Sequence, residues 1–167
     1  MTGAKVEEQV YQLKKVCDEA YDANPHSCSH AVWQVIRHYK PVQNWKNANA
    51  LIDEISTSDE WQEVSVAELS GLANDGVLVV GGKKEPGHGH VIVVYPGPEK
   101  PNGGFYFKDR VTCNLVLAQQ HGYYARAMST SMGNWPGAKS RGDKTVYDAW
   151  GSRKFSAVKF WKYNGKR

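Results

Sequence analysis

The chain has 167 residues, of which 41% are hydrophobic and 23% charged, a balance typical of one globular domain spanning residues 1–167. Its net charge of +4 comes from scattered lysines and arginines, without a basic helix or a base-stacking motif. This charge predicts weak attraction to anionic partners and argues against nucleic-acid binding.

The N-terminal segment predicts a helix and no targeting sequence. Met1–Glu8 lack the apolar core of a signal peptide. We therefore expect a protein made in the cytoplasm without a signal peptide, whose action outside the cell would need another export device. No run approaches the length of a membrane span, so we expect no membrane insertion. One apolar stripe recurs at helical spacing: Val6, Val10, Leu13, Cys17 and Ala20.

A second helix is predicted to begin at Cys28. Pro25 stops the first helix, and Ser27 is a good N-cap. The next apolar residues again stand at helical spacing: Ala31, Val32, Val35, Ile36 and Tyr39. In the first turn of a helix, unpaired N–H groups and the positive end of the dipole favour a thiolate. Cys28 therefore occupies a position that suits a nucleophile.

Two shorter helices are predicted before the pattern changes to strands. Asn47 can cap a third helix, whose apolar face is Leu51, Ile52 and Ile55. Ser65–Glu68 form a capping-box pattern that opens a fourth helix. Val77–Val80 and His90–Tyr95 are then predicted as strands, paired as a hairpin across a polar turn.

The remaining third of the chain predicts further strands. They are Phe105–Phe107, Val111–Leu117, Tyr123–Met128 and Ala157–Tyr163. A loop is predicted before them at Pro101–Gly104. A loop of small residues from Ser129 to Asp143 and a helical turn at Thr145–Trp150 are predicted before the last strand. Helices followed by an antiparallel meander indicate an α+β fold. We expect the N-terminal helices to pack on an antiparallel sheet or a small barrel.

The three cysteines, Cys17, Cys28 and Cys113, leave at least one thiol unpaired because their number is odd. Two arrangements fit: a Cys17–Cys113 disulfide with a free Cys28, or three free thiols. Cys17 lies on the apolar stripe of the first helix, which favours a small buried thiol over a disulfide partner.

His90, the first residue of a predicted strand, is the candidate partner of Cys28. If the helix packs across the sheet, its N-terminus would lie against the start of this strand. The imidazole could then take the thiol proton and later protonate a leaving amine, without a metal or cofactor. Such a pair needs a polar group that orients the imidazole. It also needs an oxyanion hole, whose natural first donor is the backbone N–H of Cys28.

Other interpretations of these residues stay open. A cysteine near a helix start is most often simply buried, and a histidine beside glycines is often a turn residue. His26, His30 and His88 crowd the same region. Together with Cys28 and His90 they allow a metal site, but the spacing matches neither a CxxC nor an HExxH pattern. We expect the extra histidines to be solvated loop residues or to line a cleft.

Several short motifs follow one another in a specific order. They are Ser27-Cys28-Ser29, Asn47-Ala48-Asn49-Ala50 and, about sixty residues after Cys28, Gly89-His90-Val91-Ile92-Val93-Val94. This arrangement resembles the NlpC-type cysteine peptidases, papain-like enzymes that cut amide bonds in bacterial cell-wall peptide stems. It is closer to the first family of amidase effectors of the bacterial type VI secretion system. Trp150 and the strand Val158–Tyr163 are similar too. The resemblance covers residues of about 10–95, and the C-terminal third only loosely.

The resemblance implies a fold, an activity and partners. Cys28 would be the nucleophile and His90 the base. The substrate would be the peptidoglycan peptide stem, cut between γ-D-glutamate and meso-diaminopimelate through a thioester intermediate. The protein would be a monomeric antibacterial effector, injected into the periplasm of target bacteria. A cognate immunity protein would protect the producer.

The sequence departs from the family pattern at two places. The family's Cys-Ser-Gly is Cys28-Ser29-His30 here, so a larger side chain would narrow or reshape the cleft. The stretch from Pro96 to Tyr124 is longer than expected, so the third catalytic position does not carry over. Its candidates are Ser129, at the end of the Tyr123 strand, and Asp109. A backbone carbonyl could also orient the imidazole, and the Ser129 region is favoured.

Two rival functions use the same residues differently. One is a cysteine peptidase, deamidase or acyltransferase acting on a protein substrate, since the thioester chemistry is shared and only the cleft differs. Cleavage of a protein such as casein, but not of sacculi, would favour it. The other is a non-enzymatic binding module for the cell wall or a protein, with aromatic residues as its stacking surface. An unreactive Cys28 without a nearby histidine would favour that module.

Overall fold

A computed structural model describes residues 3–102, 105–118 and 122–165 of the chain. Gly103 and Gly104 of the predicted loop lie outside these residues. Four helices are described: α1 Gly3–Ala23, α2 Cys28–Tyr39, α3 Ala48–Thr57 and α4 Leu69–Asn74. Eight strands are described: β1 Trp61–Val64, β2 Val79–Lys83, β3 His90–Pro101, β4 Phe105–Lys108, β5 Leu115–Ala118, β6 Tyr123–Ser129, β7 Ser140–Thr145 and β8 Lys159–Tyr163.

Six strands form one antiparallel sheet in the order β1-β8-β2-β3-β6-β7, and β4 pairs with β5 separately. The predicted hairpin is confirmed, since Lys83 lies opposite His90 and Val80 opposite Val93. The α+β class is confirmed as well. Closing a barrel would require pairing between β1 and β7, which are the two edges of this open sheet. The alternative of a small barrel is therefore wrong.

Strand β3 lies between two hydrophobic cores. Val91 and Val93 face α1, α2 and α3, whereas Ile92 and Val94 face α4 and the segment that follows β7. The residues alternate because successive side chains of a strand point to opposite sides of the sheet. All four are fully buried, and burial of each such side chain contributes roughly 1.5–3 kcal/mol. The start of β3 is thereby held in place from both faces.

The predicted helix starts at Ser27, Asn47 and Ser65 are confirmed. Ser27 Oγ accepts the His30 N–H at 3.3 Å, and Asn47 Oδ1 accepts the Ala50 N–H at 2.9 Å. The Ser65 capping box opens a 3₁₀ turn that continues into α4. Caps are predictable because they depend on contacts three residues apart. In the described part of the chain, no helix has both the length and the apolar character that a membrane crossing demands.

Some strands begin or end at residues other than those predicted, because their limits depend on pairing with a strand that is distant in the sequence. β1 was not predicted, since two exposed residues separate buried Trp61 from Val64. β7 begins inside the predicted Ser129–Asp143 loop and runs on to Thr145, because its polar residues pair with β6. The predicted strand from Val111 is wrong in its first half. Asp109 O accepts the Cys113 N–H at 2.8 Å, which closes a turn before β5.

All three cysteines are free thiols. Cys17 is fully buried in α1, whereas Cys113 is exposed in the β4–β5 turn. The alternative of a Cys17–Cys113 disulfide is therefore wrong. Burial raises the pKa of the Cys17 thiol, and the neighbouring Asp18 adds to this effect. Cys17 accordingly acts as a small protonated hydrophobe, as the apolar stripe predicted.

Candidate active site

A groove of about 1270 Å³ contains both residues that the sequence paired, Cys28 and His90. Its walls come from the start of α2, residues 45–49, the β2–β3 loop and two C-terminal loops at 131–137 and 147–154. Segments far apart in the sequence therefore build one site. The two residues lie together because α2 packs on the face of β3 that carries Val91 and Val93.

Cys28 is the first residue of α2, directly after the Ser27 cap. The Ser27 backbone is extended, with φ −138° and ψ 104°, so the chain turns sharply into the helix. The backbone N–H of Val91 lies close enough to the Cys28 sulfur to lower the pKa of the thiol. The thiol is thus placed against the residue that follows His90.

The Cys28 thiol is half-buried, and this burial dominates its acidity. Burial raises the pKa of Cys28, whereas hydrogen bonds from the backbone N–H groups of Val91, Ser29 and Cys28 itself lower it in part. The sequence predicted that the helix start would favour a thiolate. Loss of hydration outweighs that influence here. Cys28 rests as a neutral thiol and needs a base to become a nucleophile.

His90 is the candidate for this base. Its side chain is only 8% exposed and is enclosed by the indoles of Trp135 and Trp150, whose ring centroids lie 5.6 and 5.2 Å away. Burial, and secondarily the charge of Lys154, lowers the pKa of His90 to about 4. The imidazole is therefore neutral at pH 7 and can accept a proton.

Ser129 determines which ring nitrogen is free. Ser129 Oγ lies 3.0 Å from His90 Nε2 and donates its only proton to the carbonyl of Ala138 at 2.9 Å. A hydroxyl that donates elsewhere can only accept from the imidazole, so Nε2 carries the hydrogen. Nδ1 then holds the basic lone pair. Among the described residues no hydrogen bond joins Nδ1 to the Cys28 sulfur, a contact that catalytic pairs often complete only with substrate bound.

Acidification should destabilise the protein through His90. An unfolded chain binds this proton near the ordinary pKa of 6.5, whereas the folded protein binds it only near 4. Stability from this group is full above pH 6.5 and falls as the pH drops toward 4. Between pH 7 and 4.5 we expect a loss of roughly 2–3 kcal/mol. Urea unfolding of wild type and His90→Gln at both pH values isolates this effect. An equal loss in the variant would contradict it.

A clasp between α3 and the β2–β3 loop holds the approach to His90. Asn49 Nδ2 donates to Glu85 O at 2.7 Å, and the Glu85 N–H donates to Asn49 Oδ1 at 3.2 Å. The Glu85 carboxylate pairs with Lys83 and with Lys154, each at 2.7 Å. Lys154 is thereby held near the imidazole whose pKa it helps to lower. The clasp explains why an asparagine follows the α3 cap by two residues.

Gly89→Ala should disrupt this clasp. A Cβ at position 89 would lie 2.2 Å from Asn49 Oδ1 and 2.8 Å from the Lys83 carbonyl, closer than real atoms approach. We expect a loss of about 1–3 kcal/mol in the free energy of unfolding. Gly71→Ala is the matched control. It adds a Cβ in a helix with nothing within 4 Å, so it should leave stability unchanged or slightly raised. An equal free energy of unfolding in Gly89→Ala and wild type would contradict the prediction, because the β2–β3 loop would then accommodate the Cβ without loss of stability.

The three further histidines of the possible metal site, His26, His30 and His88, line the groove. His30 stacks on Trp45, with ring centroids 4.8 Å apart and planes at 17°, and so forms part of the wall beside Cys28. Within the described residues, no three or more His, Cys, Asp or Glu side chains are arranged to hold a metal ion.

The structure separates the two candidates for the orienting group. Ser129 contacts His90, whereas Asp109 lies in the β4–β5 turn, where its carboxylate accepts the Val111 N–H at 2.8 Å. Asp109 is not among the residues that line the groove. Sequence reasoning missed Trp135 and Lys154. The only available signal for Trp135 was an aromatic residue placed among turn formers in a long loop.

Comparison with known proteins was made for the whole chain. No protein-family model matches it, and a search of curated proteins finds no match. Inference of function therefore rests on the geometry of Cys28, His90 and Ser129 and on the motif resemblance.

Proposed function

We propose that the protein is a cysteine amidase of papain-like type. The observation that carries this proposal is the neutral His90, held by Ser129 as the Nε2–H form in the groove that also contains the Cys28 thiol. At rest both groups are neutral, because the pKa of the half-buried thiol is raised and that of the imidazole is lowered. The proton therefore passes only as the sulfur attacks, and bound substrate must raise the basicity of His90 for this step.

The reaction follows from this protonation state. His90 Nδ1 takes the thiol proton as the Cys28 sulfur attacks the amide carbonyl. The carbonyl oxygen becomes an oxyanion, and the backbone N–H of Cys28, at the positive end of α2, is its natural donor. The imidazolium then gives its proton to the leaving amine, and a thioester forms. Water, deprotonated by the same imidazole, hydrolyses the thioester and restores the thiol.

We propose the peptidoglycan peptide stem as substrate, cut between γ-D-glutamate and meso-diaminopimelate. Support comes from the motif resemblance and from a groove large enough for a peptide segment. The net charge of +4 is compatible with an anionic wall. By the same resemblance we propose a type VI effector that acts as a monomer in the periplasm of target bacteria, with an immunity protein as its partner in the producer.

Purified sacculi that contain meso-diaminopimelate test this function. Wild-type protein should lower their turbidity and release fragments with a new amino terminus on diaminopimelate, detected by chromatography and mass spectrometry. Cys28→Ala should release at least about 10³-fold less, and Cys113→Ser, which changes an exposed thiol, should match wild type. Wild type that releases no stem fragments would refute the substrate proposal. Cleavage of casein without cleavage of sacculi would favour an enzyme acting on proteins.

A further inference from the structure

The indole of Trp45 is an exposed but immobilised surface in the groove wall. It is 44% exposed, and its Nε1–H donates to Ser29 Oγ at 3.2 Å, one residue from the nucleophile. This hydrogen bond reduces the conformational entropy of the Trp45 side chain before any ligand binds. A ligand that stacks on this ring would therefore meet a preorganised partner.

His30 covers one side of this indole. The two rings are stacked at 4.8 Å, and His30 Nδ1 lies 2.7 Å from Ser27 Oγ, so the helix cap itself holds the imidazole. His30 also contacts Trp33 edge to face. With one face of Trp45 covered, the exposed part of the ring is available for a flat ligand.

Polar residues line the groove together with Trp45. They include His26, Ser27 and Asn47, whose Oδ1 caps α3 while its amide N–H₂ makes no hydrogen bond among the described residues. The wall around Met132 and Trp135, by contrast, presents large apolar side chains that are 79% and 38% exposed. An aromatic face with hydrogen-bonding groups at its rim matches a sugar ring. The positive C–H edges of a pyranose stack on the negative face of the indole, and its hydroxyls meet the polar rim.

We propose that Trp45, supported by His30, binds a pyranose ring of the glycan strand to which the stem peptide is attached. This inference rests on the proposed function, since it deepens the choice of substrate. The enzyme would then prefer stems that are still linked to sugar over free stem peptides.

The test compares kcat/KM on a disaccharide-tetrapeptide muropeptide with kcat/KM on the free tetrapeptide. Trp45→Ala should lower the ratio of the two values about tenfold relative to wild type. Trp45→Leu keeps apolar volume without a ring and should lower it nearly as much. Tyr11→Ala removes an exposed aromatic residue on α1 that does not line the groove, and should leave the ratio unchanged.

A binding measurement separates this inference from the proposed function. Cys28→Ala protein should bind the sugar chitotetraose by calorimetry, and adding Trp45→Ala should weaken the binding about tenfold. An unchanged cleavage ratio, with equal sugar binding by both variants, would overturn the glycan site and leave the amidase proposal intact. Sugar binding that needs Trp45, without cleavage of either substrate, would instead refute the amidase. A fall of both kcat/KM values in Trp45→Ala with an unchanged ratio would place the contact on the peptide, against a sugar. A ratio that Trp45→Leu keeps at the wild-type value would contradict stacking, because leucine has no ring.

Discussion

Cys28→Ala and His90→Gln should each lower kcat/KM on the muropeptide by about 10⁴-fold. The kcat/KM of the double variant should be no lower than that of the less active single variant. Neither group performs its part alone, because the thiol is neutral and must lose its proton to the imidazole as it attacks. Removal of either one therefore abolishes the same step. Effects of residues that act as a unit do not multiply.

Folding must be compared alongside activity. Because His90 is buried, His90→Gln is the conservative change, since its amide can still form a hydrogen bond with the hydroxyl of Ser129. Urea unfolding at pH 7 should show both single variants folded, and Cys113→Ser should retain wild-type kcat/KM. Retention of a tenth or more of the activity by His90→Gln, or losses that multiply in the double variant, would contradict a Cys28–His90 pair.

Ser129→Ala should lower kcat about 10²-fold, because His90 is then no longer held in its Nε2–H tautomer. Without the hydroxyl, the Nε2–H has lost its acceptor, and the Nδ1–H form, which cannot take the thiol proton, becomes populated. The carbonyl of Ala138 also loses its donor. We expect a further loss of about 1–3 kcal/mol in the free energy of unfolding, because polar groups are left buried without partners.

The tautomer can be read directly. Nitrogen NMR of the imidazole at pH 7 should find the hydrogen on Nε2 in wild type and on both nitrogens in Ser129→Ala, while Ser129→Thr should restore the wild-type form. Ser140→Ala is the matched control. Ser140 is an equally buried serine that donates to the carbonyl of Ala127 at 2.7 Å without contacting His90. Its loss should affect stability but not the tautomer. A wild-type tautomer in Ser129→Ala would show that another group orients the ring.

The pKa directions assign different parts to the two members of the pair. At neutral pH the lowered pKa of His90 keeps Nδ1 unprotonated, and the raised pKa of Cys28 keeps the thiol from ionising on its own. At rest the pair is thus neutral, and a neutral thiol is less open to oxidation or alkylation than a thiolate. In the proposed reaction, bound substrate would place its carbonyl carbon against the sulfur and its oxygen at the start of α2.

The sequence alone determined the features that depend on neighbours three or four residues apart. The caps at Ser27 and Asn47 and the apolar stripe through Cys17 were predictable for this reason. The β2–β3 hairpin was predictable because two apolar runs flank a polar turn that contains glycine and proline. Cys28 and His90 could be singled out because each stands at the start of such an element. Their meeting in one groove follows from a simple packing of helix on sheet.

Only the tertiary structure decided which residues surround the pair. Ser129 and Asp109 were both candidates in the sequence, and the pairing of β3 with β6 brings only Ser129 to His90. Trp135 and Lys154 come from loops whose paths depend on distant contacts, for which local patterns carry no signal. The acidity of Cys28 was also beyond the sequence. Helix position is visible in the chain, but burial, the larger influence, exists only after folding.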